Sequence, residues 1–160
     1  MTEISSEEIN VSTWKIPSPL GIIGSHSEGQ FNGMTASWIT QVSMEPALIG
    51  VGIDNKSVTF NLMNSSDYFS LNMFSPDYTK VFVKFSKPAE YKEGFLNKEP
   101  ITLTDNSVPI FDNATVWFEL KTTQIYSPKK SYQLPPKQII SIISNNKIKI
   151  GESVYIKKMN

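Results

Sequence analysis

Asn32-Gly33-Met34-Thr35-Ala36-Ser37-Trp38, followed closely by Gln41-Val42-Ser43, is the most informative stretch of this 160-residue chain. Its small residues allow backbone to approach a flat ligand closely, and its amides and hydroxyls can bind the ligand's edge. The tryptophan offers an apolar wall beside them. Read alone, Asn-Gly is most often a hairpin turn, so the rest of the chain must decide between the two interpretations.

Composition excludes several classes of function. The chain has fifteen basic residues, all of them lysine, and fifteen acidic residues, so its formal net charge is zero. Nucleic-acid binding is therefore not expected, and a phosphate would be held by lysine, hydroxyl and backbone N–H groups. With no cysteine and one histidine, disulfides, thiolate catalysis, iron–sulfur clusters and a poly-histidine metal site are excluded.

The chain predicts one domain that is neither secreted nor embedded in a membrane. Its first twelve residues are polar and acidic, and no apolar run approaches membrane-spanning length. We therefore expect a cytoplasmic protein. Residues 1–13 are interpreted as a frayed N-terminal arm and residues 14–160 as a single domain.

The hydrophobic pattern predicts a mainly β protein. Ser27-Glu28-Gly29 is expected at a hairpin tip, and a loop is expected from Glu93 to Pro100. Residues 56–65 predict one helix, and Ser75-Pro76-Asp77 predicts the start of another. The predicted strands cover residues 20–25, 35–42, 47–53, 68–74, 110–111, 115–126, 138–144 and 147–157. Together they indicate an antiparallel, Greek-key-like barrel with a few short helices.

The chain offers groups for each part of a flavin mononucleotide (FMN) site. Asn32 to Ser37 could approach the ring and bind its polar edge. Lys56, Ser57 and Thr59 fall at the start of a helix, where free N–H groups and the helix dipole favour a phosphate. Lys84 and Phe85 could add a cation and an aromatic surface. Helix capping is the simpler interpretation of Ser57 and Thr59, and it is compatible with phosphate binding.

These segments resemble, in wording and spacing, the flavin reductase-like family of FMN-binding split β-barrels. The likeness rests on Asn32–Trp38, Gln41–Ser43, Glu45–Ile49, Ser57–Leu62 and Phe69–Met73. It implies a homodimer with one FMN per subunit near the interface, with FAD as the alternative flavin. Thr35, Ala36 and Ser37 would line the flavin ring, with Asn32 and Ser43 nearby. Ser57 and Thr59 would hold the phosphate, and Lys84-Phe85-Ser86 would lie near the tail.

The resemblance implies hydride transfer from NADH or NADPH to a flavin, which then serves a partner monooxygenase or another acceptor. Many members carry a Gly-Asp-His segment in the later strands, whereas the corresponding region here is Tyr126 to Tyr132. That departure keeps open a second interpretation, a non-enzymatic FMN-binding electron carrier. A flavin-free β-barrel assembly module is a third. No catalytic acid–base pair is expected, and His26 is interpreted as a surface hairpin residue.

Overall fold

The computed structural model describes residues 5–126 and 141–144, which form a mainly β fold with antiparallel sheets, as predicted. The elements are α1 (Ser6–Thr13), β1 (Gly21–Ser27), β2 (Gln30–Ala36), β3 (Ile39–Met44), β4 (Ala47–Val51), α2 (Val58–Ser65), β5 (Tyr68–Met73), a 3-10 helix (Pro76–Tyr78), α3 (Lys80–Lys84), β6 (Tyr91–Lys92), β7 (Phe95–Leu96), β8 (Glu99–Leu103), β9 (Pro109–Phe111), β10 (Val116–Tyr126) and β11 (Ser141–Ser144).

The strands form three sheets. A five-stranded sheet has the order β11-β10-β5-β1-β2, a two-stranded sheet pairs β3 with β4, and a four-stranded sheet has the order β6-β7-β8-β9.

The five-stranded sheet separates two hydrophobic clusters. Neighbouring residues of β1 point to opposite faces, so Ile23 packs with Phe69 and Leu71 on one side while Ile22 packs with Phe85 and other residues on the second. Each of these side chains is almost fully buried, which stabilises the fold by roughly 1.5–3 kcal/mol per large apolar side chain. The apolar runs of the sequence therefore form the scaffold that fixes β1 and β2.

The expected strand over residues 35–42 is wrong, because the chain changes sheets in its middle. β2 ends at Ala36 after pairing with β1, and β3 begins at Ile39 to pair with β4. Between them, the N–H of Gly52 donates a hydrogen bond to the carbonyl of Trp38 at 2.7 Å. Local alternation of side chains continues through this break, so it could not be seen from the pattern alone.

Residues with positive φ form tight turns at two places for which the sequence made a prediction. Glu28 and Gly29 both have positive φ, at 50° and 78°, as a type I′ turn requires, so the hairpin tip is confirmed. Residues 93–100 were expected to form a loop, but they form two tight turns, the short strand β7 and the start of β8. The turns place Glu93, Gly94, Asn97 and Lys98 at positive φ.

The helices also differ in part from the prediction. α2 falls within the predicted residues 56–65, whereas the helix predicted from Ser75 is divided into the 3-10 turn and α3. The expected frayed arm contains α1 instead. Its start is stabilised by a capping box in which Ser5 Oγ accepts from Glu8 N and the Glu8 carboxylate accepts from Ser5 N.

Several sequence predictions lie outside the described residues. The strand over residues 147–157 is among them, and β11 covers only the end of the strand predicted over residues 138–144. In the described part of the chain, no helix has both the length and the apolar character needed to cross a membrane.

Candidate functional site

Asn32 connects its own strand, β2, with α2 and with the segment beyond α3. Its Nδ2 donates to Thr59 Oγ1 of α2 at 2.8 Å, and its Oδ1 accepts from Ala89 N, beyond α3, at 2.7 Å. Asn32 and Thr59 are both buried. The two side chains therefore hold the segments together, which is a positioning role and not an exposed ligand contact.

Thr35 makes the second connection between β2 and the α3 region. Its N–H donates to Phe85 O at 3.0 Å, and its Oγ1 donates to Phe82 O at 2.7 Å. β2 is the last strand of its sheet, and the N–H of Thr35 points away from β1. Because antiparallel backbone groups alternate in direction, those of Gly33 also point away from β1. Ala36 is buried at the end of the strand.

Phe85 belongs to the core. It is fully buried, and its ring packs edge-on against Phe111 with 5.0 Å between centroids. Gly33 makes room for it, since a Cβ at that position would lie 2.7 Å from Phe85 Cδ1. Phe85 therefore sets the position of the Thr35 backbone and does not offer an exposed aromatic face. Gly33 serves close packing inside a strand, so its interpretation as a hairpin turn is wrong.

The start of α2 carries hydrogen-bond donors and a nearby cation. Ser57 is the N-cap, and its Oγ accepts from Phe60 N at 3.1 Å. The preceding turn is held by Asp54, whose Oδ1 accepts from Lys56 N at 2.9 Å. Lys56 is exposed and Ser57 is half-buried. First-turn N–H groups, a hydroxyl and an ammonium group thus lie together at a helix N-terminus, a setting that suits an anion.

Lys84 is engaged by Glu99. The Lys84 ammonium donates to the Glu99 carboxylate, which also accepts from the Tyr78 hydroxyl at 2.8 Å. Burial raises the pKa of Glu99, but the hydrogen bonds from Lys84 and Tyr78 outweigh it and hold the pKa below its ordinary value. The hydrogen bond to Glu99 raises the pKa of Lys84. The ion pair ties α3 to β8, so this ammonium group already has an anionic partner.

Ser43 and His26 stand apart from this arrangement. Ser43 is half-buried on β3, and its carbonyl accepts from Gln41 Nε2 at 3.2 Å. Among the described residues, no hydrogen bond links Ser43 to the β2, α2 and α3 segments. His26 Nδ1 lies 3.4 Å from Ser66 Oγ, and burial lowers the pKa of its imidazole. His26 is half-buried, whereas the sequence predicted a residue on the surface of the hairpin.

Three residues of this site could not be identified from the sequence pattern. Phe82 and Ala89 contribute only backbone groups, which any residue would supply. Glu99 acts through Lys84 and Tyr78, which precede it by 15 and 21 residues. An acidic and a basic residue so far apart in the sequence form no local pattern. A buried glutamate nevertheless needs a partner for its charge.

The donors present fit a flavin phosphate ester and the polar edge of its ring. The edge of β2 offers backbone groups at Gly33, the Ser37 backbone follows the end of the strand, and the α2 terminus offers N–H groups in the turn after Lys56. Phe85 and Phe111 fill the space beside Gly33, and the core cluster behind Thr35 gives the strand a fixed position.

The sequence model of the flavin reductase like domain matches residues 13–133. The chain belongs to this family. The resemblance identified from the sequence is thereby confirmed, and it extends well beyond the segments on which it rested.

Individual relatives are more distant. The chain is 29% identical over 98 residues to the stachydrine N-demethylase reductase subunit Stc3 of Rhizobium meliloti (strain 1021), covering 61% of this chain and 41% of Stc3. The chain thus spans about two fifths of the length of that relative.

Two solved structures share the fold. A flavin reductase domain protein from Arthrobacter sp. FB24 superimposes with a TM-score of 0.73 at 15% identity, covering 92% of this chain and 86% of that one. The NADH:FAD oxidoreductase SgcE6 of Streptomyces globisporus C-1027, in complex with NAD and FAD fragments, gives 0.69 at 15% identity, covering 90% and 83%.

Proposed function

We propose that the chain is an FMN-binding flavin reductase that takes hydride from NADH or NADPH. The observation that carries the proposal is the convergence of the β2 edge, the α2 N-terminus and the segment after α3, all joined through Asn32 and Thr35 in a member of the flavin reductase-like family. When bound, the flavin supplies the redox chemistry, accepting hydride and passing electrons to an acceptor.

The protein contributes position and electrostatics. The outward backbone groups of Gly33 and the backbone of Ser37 just after β2 bind the polar edge of the ring, and Thr35 keeps the strand in place through its two bonds to the α3 region. Ser57, the first-turn N–H groups and Lys56 bind the phosphate. Because Lys84 is paired with Glu99, Lys56 is the better candidate for the phosphate's cation. Hydride transfer between stacked rings needs no acid–base pair, so none is assigned.

A non-enzymatic FMN electron carrier is the second candidate. It is favoured by one feature of the sequence, the lack of a Gly-Asp-His segment, which the resemblance associates with the nicotinamide side of the site. The corresponding region, Tyr126 to Tyr132, lies almost wholly outside the described residues.

A homodimer and a partner oxygenase complete the proposal. Trp38 and Val42 are each 51% exposed and Met44 is 86% exposed, which gives the β3 region an apolar surface suited to a second copy. Stc3 is named as the reductase subunit of a demethylase, which supports an oxygenase as the acceptor of reduced flavin. Location in the cytoplasm stays a prediction.

Spectroscopy under anaerobic conditions tests the reductase proposal. Protein reconstituted with FMN should show the absorption of an oxidised flavin, and stoichiometric NADH or NADPH should bleach it within seconds to minutes. Bleaching by dithionite but not by either nicotinamide would favour the electron carrier. Failure to bind FMN at all would contradict both the reductase and the electron carrier, and it would favour the flavin-free β-barrel module.

A further inference from the structure

The residues before β1 project from the body of the protein. Every residue from 7 to 20 is exposed, and we call this stretch the N-terminal segment. Its hydrogen bonds lie within residues 5–16. Within the described residues, no hydrogen bond therefore ties the segment to a sheet.

The N-terminal segment carries large apolar side chains. It holds five of the fourteen large hydrophobic side chains that are exposed in the described part of the chain. Trp14 is 82% exposed and Ile16 is 66% exposed. Single exposed apolar residues are ordinary, but a concentration of them indicates a surface that contacts another molecule. Tryptophan is also among the residues that most often anchor protein interfaces.

An apolar groove lies where this segment joins the body. Its volume is about 660 Å³, within the range of sites that hold a drug-sized ligand, so it has room for an indole ring and an aliphatic neighbour. Nine of its eleven lining residues are apolar. They include Leu71 of the core and the half-buried Met73 and Phe118, which pack against the same hydrophobic cluster. The groove thus leaves this cluster partly uncovered.

The chain enters the body at the edge of the groove. Pro19 is one of the lining residues. Two residues later, Gly21 lies so close to β5 that a Cβ there would be 2.8 Å from Leu71 Cδ1. The N-terminal segment is therefore attached directly beside the groove.

The linker holds Trp14 and Ile16 away from the groove of their own chain. Ile16 is followed by Pro17-Ser18-Pro19. Proline fixes its own φ and disfavours the helical conformation in the residue before it, so residues 16–19 form a stiff, extended connection. The chain would have to reverse direction within these residues to reach its own groove. A second copy can present its groove without any such reversal.

The groove is continuous with the surface suggested above for the homodimer. Residues 39–41 of β3 line the groove, and the exposed residues Trp38 and Val42 flank them directly in the chain. A segment seated in the groove of a second copy would extend that surface. A two-fold axis makes such a contact reciprocal, so that two segments fill two grooves and no apolar surface is left over.

We propose that Trp14 and Ile16 of each subunit pack into the apolar groove of a second copy, so that the two subunits exchange their N-terminal segments. Helix α1, with the acidic residues Glu7 and Glu8 in its first turn, remains in solvent. The inference rests on the proposed function only in that it requires the homodimer.

The double variant Trp14→Ser/Ile16→Ser tests the contact in the full chain by sedimentation velocity at several concentrations. The dimer dissociation constant should rise tenfold or more, because the burial of two large apolar side chains is lost. Both side chains are exposed in the single chain, so the fold should be retained, and circular dichroism would check this. Val11→Ser, which removes an exposed apolar side chain from α1, is the matched control and should leave the dissociation constant unchanged.

Disulfide trapping locates the contact, because the chain has no cysteine of its own. Lys15→Cys lies between the two anchors, and Gln41→Cys lies in the groove. A chain with both changes should form covalent dimers on mild oxidation, seen on a non-reducing denaturing gel. Lys15→Cys alone, and Lys15→Cys combined with Glu28→Cys beyond the far end of β1, should stay monomeric on that gel.

Three results would overturn the inference. One is a Trp14→Ser/Ile16→Ser variant with the dissociation constant of the parent, which would assign the groove to another occupant. Another is a disulfide inside one chain, or none at all, in the Lys15→Cys/Gln41→Cys variant. The third is a parent chain that is monomeric at every concentration.

Neither measurement requires flavin or turnover. A dimer that persists without the two anchors would remove the exchange and leave the homodimer. Both outcomes are distinct from failure of the reductase proposal, which FMN binding and nicotinamide bleaching decide.

Discussion

The amide of Asn32 uses its donor and its acceptor on two different segments, α2 and the chain beyond α3. An amide can do this where an ionised carboxylate cannot, because its nitrogen donates and its oxygen accepts, on two separate atoms held in one plane. The motif predicted Asn32 beside the ligand. The side chain is buried and spends its polar groups on Thr59 and Ala89, so we propose that it positions these segments.

Asn32→Ala tests this role at the residue scale. The change leaves the N–H of Ala89 and the hydroxyl of Thr59 without their partner inside the fold, so we expect a loss of about 1–3 kcal/mol in unfolding free energy. FMN affinity should fall as well, because the α2 terminus is no longer held against β2. Urea unfolding and fluorescence titration with FMN would measure the two effects.

Asn61→Ala is the matched control, since Asn61 is exposed on α2 and the change removes the same amide. It should alter neither quantity appreciably. Equal losses in the two variants would show that the bridge made by Asn32 has no special importance.

At the element scale, the N-terminus of α2 can be a cap, a phosphate site or both, and one pair of substitutions separates these roles. Ser57→Asp keeps a good N-cap but puts a negative charge where the phosphate is proposed to bind. We expect its stability to stay within about 0.5 kcal/mol of the parent, while FMN affinity falls at least tenfold. Ser57→Ala should instead cost about 1 kcal/mol of stability.

The N-cap of α1 provides the control for this pair. Ser5 caps α1 through the same kind of bond, and Ser5→Asp should leave FMN affinity unchanged. If Ser57→Asp bound FMN as tightly as the parent, the helix terminus would be a structural cap alone.

The link between α3 and β8 gives the fold a pH dependence. The folded state lowers the pKa of Glu99 from its ordinary value of 4.5. Its contribution to stability is therefore present above that value and is lost as pH falls through the lowered folded-state pKa. Glu99→Gln should flatten the acid side of a plot of melting temperature against pH. Lys84→Met should shift acid unfolding to higher pH, because the carboxylate loses its cation.

Glu28→Gln controls for the loss of one carboxyl group, since Glu28 is exposed at the β1–β2 turn. It should keep the acid limb of the parent protein. An unchanged acid limb in Glu99→Gln would mean that other carboxylates govern acid unfolding.

At the scale of the whole molecule, apolar residues remain exposed around β3, and a groove of about 660 Å³ opens between β3, β4 and the main sheet. Val42→Lys/Met44→Lys should raise the dimer dissociation constant at least tenfold, because each lysine would bury a charge at the proposed interface. Sedimentation velocity at several concentrations would measure it. Val11→Lys, on exposed α1, should leave association unchanged.

Sedimentation of the β3 double variant as a dimer at the same concentrations as the parent would place the interface elsewhere. A parent protein that is monomeric throughout would contradict the homodimer itself, while leaving the flavin site within one chain intact.

The sequence by itself determined what depends on neighbours along the chain. The alternation of residues 68–74 predicted β5, and the polar start and apolar spacing of residues 56–65 predicted α2. The combination of motifs between Asn32 and Met73 identified the family that the domain match confirms. These features are local because periodicity, capping and motif wording are all read within a few residues.

Only the tertiary structure decided how those segments are used. Asn32 faces Ala89 across 57 positions, Lys84 is paired with Glu99 across 15, and the chain leaves one sheet for another between Ala36 and Ile39. The residues expected to be a loop became the wall of a lysine-rich cavity beside β2. Burial and long-range pairing depend on which surfaces meet after folding, and that information is not carried by any short stretch of the chain.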